Sequence, residues 1–256
     1  MAIKKTAPKT GTAVVAWDED VAKLAEQMGD ARKSGGGGDF IGVSASGFSV
    51  GGEDIGPEMN VVILDYVNEN QYYAEKYDAD NPSPPVCFAF ARKEKDLKPH
   101  EASTDPQHDK CEGCPMNAYG TSETGKGKAC KNVMRLAMIT EGDLEDIENA
   151  EVHMMKVSVT NVKHFTAYIE KLRNPNLNLG KKPMPFQVVT TIKVKPVKKT
   201  QIELSFEMME EVPAEVRGDL IAKVTAQLDK TITAYQPKSE EAAPPPAKAS
   251  KFTKKR

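Results

Sequence analysis

The chain has 256 residues, 39% hydrophobic and 28% charged, with a formal net charge of −2. That length supports one large domain or two small ones, with part of the chain left outside the core. No apolar run reaches bilayer length, and Met1 to Lys9 carries lysines with no apolar segment behind it, so neither a membrane span nor a secretory leader is expected. The expected setting is a reducing cytoplasm, where thiols serve more often as ligands than as disulfides.

Residues 1–38 read as a basic arm, a helix capped by Asp18 with Val21, Leu24, Ala25 and Met28 on one face, and a linker of four glycines, Gly35 to Gly38. A core domain is expected over 39–235. Its first strands are Phe40–Val43 and Phe48–Val50. Val61–Val67, the most apolar run, is a predicted central strand, followed by a turn at Asn68-Glu69-Asn70 and a returning strand at Gln71–Ala74. Residues 78–132 break this rhythm with prolines, charges and every cysteine of the chain, and read as an inserted module that packing alone cannot order.

Strands resume at Met134–Ile139 and Met154–Val159 around an acidic loop. Thr160 or Asn161 is expected to cap a helix bearing Val162, Phe165, Ile169 and Leu172. Phe186–Lys195 alternates as a half-buried strand with Lys193 and Lys195 outward, paired with a strand that buries Ile202, Leu204, Phe206 and Met208. A closing helix follows Pro213, with Val216, Leu220, Val224 and Leu228 on one side. Residues 236–256 read as a disordered basic tail. The predicted class is α+β, mostly β: an OB-like barrel or curled antiparallel sheet, with an inserted four-cysteine zinc module and flanking helices.

Cys87, Cys111, Cys114 and Cys130 fall within 44 residues. In Cys111-Glu112-Gly113-Cys114 the glycine lets the backbone fold back so that both sulfurs face one ion. Four thiolates around one zinc make a closed tetrahedral shell, which is structural and not catalytic. His100 and His108 are the candidates to replace a sulfur, Cys87 first. An iron–sulfur cluster and unligated or redox thiols are the alternatives.

Gly120 to Lys126 matches the opening of a phosphate-binding loop, but Gly127 stands where Ser or Thr must hold magnesium, and no apolar strand precedes it. No nucleophile–base pair, open metal site or dinucleotide fingerprint is visible, so no enzymatic activity is expected. The charges are segregated. Lys171 to Lys199 holds eight basic residues and no acid, Lys126, Lys128, Lys131 and Arg135 form a second basic group, and Glu141 to Glu151 holds six acids.

A cationic groove with aromatic faces is what single-stranded nucleic acid requires. The candidate contacts are Tyr72, Tyr73, Tyr119, Lys126, Lys128, Lys131, Arg135, Lys193 and Lys195, with Tyr66, Tyr77 and Tyr168 as further aromatic candidates. The cysteine pair Cys111/Cys114, the flanking Cys87 and Cys130, and the strands around residues 40–77 and 133–159 resemble the zinc-containing single-stranded-DNA-binding proteins of bacteriophages, which are built on an OB-like barrel. The resemblance is architectural and spans residues 38–210. It implies a protein that coats unwound DNA in replication or recombination, in the host cytoplasm. The best-known members of that family use three cysteines and a histidine and end in an acidic tail, whereas this chain offers four cysteines and ends in Lys254-Lys255-Arg256.

The expectation is therefore a sequence-tolerant binder of single-stranded DNA, with RNA as an alternative ligand, one structural zinc, and replication or recombination proteins as partners of the tails. The rival expectation is a zinc-stabilised protein–protein adaptor in transcription or replication, whose acidic segment and tails do the binding.

Overall fold

A computed structural model describes residues 40–232, apart from residues 52, 76–82, 178, 181, 182, 199, 200 and 229. The expected N-terminal arm, helix and glycine linker, the C-terminal tail, and Tyr77 lie outside the described residues.

Nine strands form one strongly curled sheet, a half-barrel. In chain order they are β1 (Phe40–Ser44), β2 (Gly47–Val50), β3 (Glu53–Gly56), β4 (Glu58–Tyr72), β5 (Cys87–Ala91), β6 (Lys131–Thr140), β7 (His153–Val157), β8 (Val188–Lys198) and β9 (Gln201–Glu211). The order across the sheet is β3-β2-β1-β7-β6-β4-β8-β9, antiparallel except for β1 against β7. β5 pairs with β4 on the edge that β8 also uses. β8 takes residues 58–61 and β5 takes 68–72, while β6 runs along the other edge.

The curl encloses Phe48, Val61, Ile63, Leu136, Met138, Met155, Ile192, Leu204 and Phe206. Helix α1 (Val159–Leu172) closes it with Phe165, Ile169 and Leu172 of the expected face, with Val162 only partly buried and Tyr168 added to the core. Ser158, not Thr160 or Asn161, is its N-cap residue. Asn161 is used across the interface instead: its amide accepts from the Leu204 N–H at 2.9 Å and donates to the Ile202 carbonyl at 3.2 Å. The Tyr168 hydroxyl lies 2.6 Å from Thr190 Oγ1 inside the core, so Tyr168 is no base platform.

The outer face of the sheet packs Val62, Leu64, Ile139, Val189 and Val212 against α2 (Arg217–Gln227), which contributes Leu220 and Val224. Strand β8 is therefore covered on both faces over Val188–Thr191, and not half-exposed as its alternation suggests. Leu228, expected on the buried side of the closing helix, is exposed. Among the described residues, no helix is long and apolar enough to cross a membrane.

Two expectations about residues 61–91 are corrected. The turn at Asn68-Glu69-Asn70 does not form, and β4 continues to Tyr72. Glu69 is 0% exposed, and the 3%-exposed guanidinium of Arg135 grips it through Nε–Oε2 at 2.8 Å and Nη2–Oε1 at 2.9 Å. The side chains that favour a turn are thus satisfied inside a ladder. The cysteine-bearing insertion is also not all loop, since Cys87–Ala91 joins the main sheet and buries Phe88 and Ala89.

Arg135→Met should destabilise the fold by about 3–5 kcal/mol, because it strips the two guanidinium hydrogen bonds from the buried Glu69 carboxylate. Adding Glu69→Gln should restore most of that loss. Urea denaturation of the two variants beside the parent checks both.

Candidate functional site

The last residues of β4 organise the cysteine region. Successive strand side chains alternate between faces. Glu69 and Gln71 face a buried polar cluster. Gln71 Nε2 donates to Glu69 Oε1 at 2.7 Å, and Gln71 Oε1 accepts from the Tyr73 hydroxyl at 2.7 Å and from Lys156 Nζ at 3.4 Å. Asn70 and Tyr72 face the other way and line a cavity shared with Cys87, Cys111, Cys114 and Cys130.

Three segments deliver the four thiols. Cys87 opens β5, in register with Tyr72. Cys111 is tied to the preceding loop by its N–H to the Leu97 carbonyl at 3.1 Å. The chain then reverses through Gly113, whose φ of +78° is a conformation side chains resist, and Cys114 N–H returns to the Cys111 carbonyl at 3.4 Å. Asn117 braces this knuckle by donating to the same carbonyl at 3.0 Å. Cys130 stands one residue before β6, held by its N–H to the Met116 carbonyl at 2.8 Å.

The enclosed space is about 10 Å³, roughly the room of one water-sized sphere. Burial pushes the Cys87 and Cys111 thiols up and lifts Cys130 to about 12, and the neighbouring sulfurs raise all three further. Nearby polar groups pull the other way, toward thiolate: the Gln107 backbone and Ser103 for Cys87, Asn70 for Cys111 and the Gln71 backbone for Cys130. Among the described residues, however, no three or more His, Cys, Asp or Glu side chains are arranged so as to hold a metal ion. The sulfurs share one space, but they do not stand as a finished coordination shell. As a donor set, four thiols are what a soft ion such as zinc takes.

The two candidate histidines differ. His100 is stacked on Phe88 at 5.2 Å, and its Nδ1 accepts the Ala102 N–H at 3.1 Å. His108 lines the cysteine cavity, with Nδ1 turned to the Lys110 backbone.

The structure divides the expected nucleic-acid residues. Tyr119 is 80% exposed, the most exposed large apolar side chain among the described residues. It opens a tight loop in which the Gly120 and Ser122 N–H groups both donate to the Gly127 carbonyl, at 2.8 and 3.0 Å. Lys126 and Lys131 on and beside this loop are exposed. Lys128 is committed to the knuckle, donating to Asn117 Oδ1 at 3.2 Å.

The other candidates stand apart from this set. Arg135 is a correction, because it is buried on Glu69 and not part of a cationic surface. Tyr72 and Tyr73 are half-buried, one at the cysteine cavity and one in the polar cluster, where burial lifts the Tyr73 hydroxyl to about 12. Tyr66 packs edge-on against Phe165 at 5.3 Å. Lys193 is paired with Glu58 at 3.1 Å, and Lys195 lies opposite Glu203 on β9. Both sit at the far end of β4 from the cysteines, about 45 Å along the strand at roughly 3.3 Å per residue. Lys131 thus lies opposite Gln71 near one end of β4, and Lys193 opposite Glu58 at the other. The acids of Glu141–Glu151 begin where β6 ends, opposite the end that carries Lys131.

Asn70, Gln71, Asn117 and Asn132 are the site residues that motif reading missed. The signal for Asn70 and Gln71 was an Asn-Glu-Asn-Gln run continuing a strongly apolar strand, and Asn117 and Asn132 carried none. Comparison with family models, curated proteins and solved structures finds no match to this chain.

In metal-free protein Cys130 should be the slowest of Cys87, Cys111 and Cys130 to react with iodoacetamide at pH 8, because burial keeps it protonated. Its rate should still be rising above pH 10. Pulse alkylation with peptide mass mapping measures this.

Proposed function

We propose that this protein binds single-stranded nucleic acid without sequence preference and without catalysing a reaction. The role that fits is coating unwound DNA in replication or recombination. We infer that a single structural zinc is held by Cys87, Cys111, Cys114 and Cys130, with His108 as the neighbouring alternative donor. The observation that carries the reading is the pairing of a four-thiol cavity with an adjoining loop that presents an exposed aromatic ring beside exposed lysines. Base stacking on a single ring contributes about 1–3 kcal/mol and tolerates any base. Lysines beside it attract the phosphate chain and displace its counterions.

The metal's part is to fix loop geometry. Residues 92–130 contain only short 3-10 turns at Glu94–Asp96 and Pro115–Asn117. Such a segment gains order from coordination that it cannot gain from a core of its own. The binding face that follows is compact, built on Tyr119, Lys126 and Lys131 at one end of the sheet. A zinc-stabilised adaptor is the second reading. What favours it is the separate acidic surface at Glu141–Glu151, braced against α2 by Lys223, which donates to the carbonyls of Glu148 at 3.0 Å and Ala150 at 2.7 Å.

Fluorescence titration with an unstructured oligonucleotide at two salt concentrations tests the proposal. Tyr119→Ala should cost about 1–3 kcal/mol of affinity at either salt. Lys126→Ala and Lys131→Ala should each lower the salt slope by about 0.7–0.9. Lys195→Ala, at the opposite end of the molecule, should change neither. Purified parent protein should carry one zinc per chain and Cys114→Ser should lose it, by elemental analysis. Absence of oligonucleotide binding by the zinc-loaded parent would favour the adaptor.

A further inference from the structure

The loop that carries Tyr119 is drawn together at its root by one hydroxyl. Thr121 Oγ1 donates to the Ala118 carbonyl at 2.7 Å, with the Met116 carbonyl at 3.2 Å, and accepts from the Ala129 N–H at 3.0 Å. A threonine hydroxyl has one proton to give and lone pairs to receive, so a single oxygen ties the strand entering the loop to the strand leaving it. Backbone bonds complete the closure. Gly120 and Ser122 both donate to the Gly127 carbonyl, at 2.8 and 3.0 Å, and Gly125 N–H donates to the Ser122 carbonyl at 2.8 Å. These N–H groups are engaged inside the loop and are not open to a phosphate, which leaves that contact to the lysine side chains.

Tyr119 sits between two of these bonds. The peptide before it is held through the Ala118 carbonyl, and the peptide after it through the Gly120 N–H. Both backbone dihedrals of Tyr119 are thereby restrained, although its ring is 80% exposed. Without such restraint an exposed ring has to be ordered at the moment of binding, and preorganisation removes that cost. The branched side chain of Thr121 is itself stiff about χ1, which suits it to hold a fixed geometry.

We propose that Thr121 is the positioning residue for the stacking surface, holding the Tyr119 ring in the pose in which a base of single-stranded nucleic acid meets it. The assignment rests on the nucleic-acid reading above and deepens it. The cysteines set where the loop stands on the sheet, and Thr121 sets how the ring stands on the loop.

The test is affinity for labelled oligothymidylate by fluorescence anisotropy. Thr121→Val keeps the shape and removes the hydroxyl, and should weaken binding about 2- to 12-fold, the worth of one hydrogen bond. Thr121→Ala, which brings no new apolar bulk against the loop, should match it. Thr121→Ser keeps the hydroxyl and should bind like the parent. In a Tyr119→Ala background Thr121→Val should cost nothing further, because the ring it positions is gone. Thr124→Val, in the same loop, should change nothing. Parent-like binding by Thr121→Val and Thr121→Ala, or equal losses with and without the Tyr119 ring, would overturn the assignment while leaving the nucleic-acid reading standing. A parent protein that binds no oligonucleotide would overturn both.

Discussion

Glu69 carries a carboxylate to a position with no exposure to water, in a stretch whose local sequence favours a turn. An unpaired charge there would cost several kcal/mol. The guanidinium of Arg135 meets it through two parallel hydrogen bonds, the geometry in which such a pair is strongest. Arg135 also donates to the Thr231 carbonyl, beyond the end of α2, and packs 4.4 Å from the Phe90 ring on β5. One side chain therefore fixes β4 against β6, against the strand that starts at Cys87, and against the chain after the last helix. The alternation that sends Asn70 and Tyr72 toward the cysteines exists because Glu69 is held in the ladder rather than released into a turn.

A second charged pair repeats this logic at the edge. Arg92, just past β5, meets Asp65 through Nη1 and Nη2 at 2.5 and 3.0 Å and reaches the Leu228 carbonyl at 3.1 Å. Arg92 is half-exposed, so this pair adds less than the buried one. Together they tie the root of the cysteine segment to the sheet and to the end of α2. The rest of that segment is held by the His100 N–H to the Phe88 carbonyl at 2.7 Å, by the Asp105 N–H to the Val86 carbonyl at 2.9 Å, and by Ser103, Asn117 and Lys128. The loop that the cysteines bracket is left exposed, with Tyr119, Lys126 and Lys131 on or beside it.

Much of the curled sheet was legible because its signals are local. The apolar run at Val61–Val67, the face of α1 and the pairing of β8 with β9 follow from period alone. The thiol cluster was legible from spacing. The extension of β4 was not, because a turn propensity of three residues was overruled by a contact with a residue 66 positions away. Arg135 and Lys128 look like surface cations in sequence, and only their partners Glu69 and Asn117 remove them from that role. Lys193 and Lys195 look continuous with the other basic residues in composition, but β4 is long enough to hold the two groups far apart. A linear charge count cannot see which ends of a strand its residues occupy.

Lys131 opens β6 and the acidic stretch starts at its close, so opposite signs are mounted on one rigid ladder about 30 Å long at roughly 3.3 Å per residue. The separation is local and not molecular, because β4 brings Glu58, paired with Lys193, to the same end of the ladder as Thr140, so cations also stand near the carboxylates. Charges farther apart than a Debye length of about 8–10 Å are largely screened from one another. Each end of the ladder is therefore governed at physiological salt by its own nearest neighbours and not by the charge total of the chain.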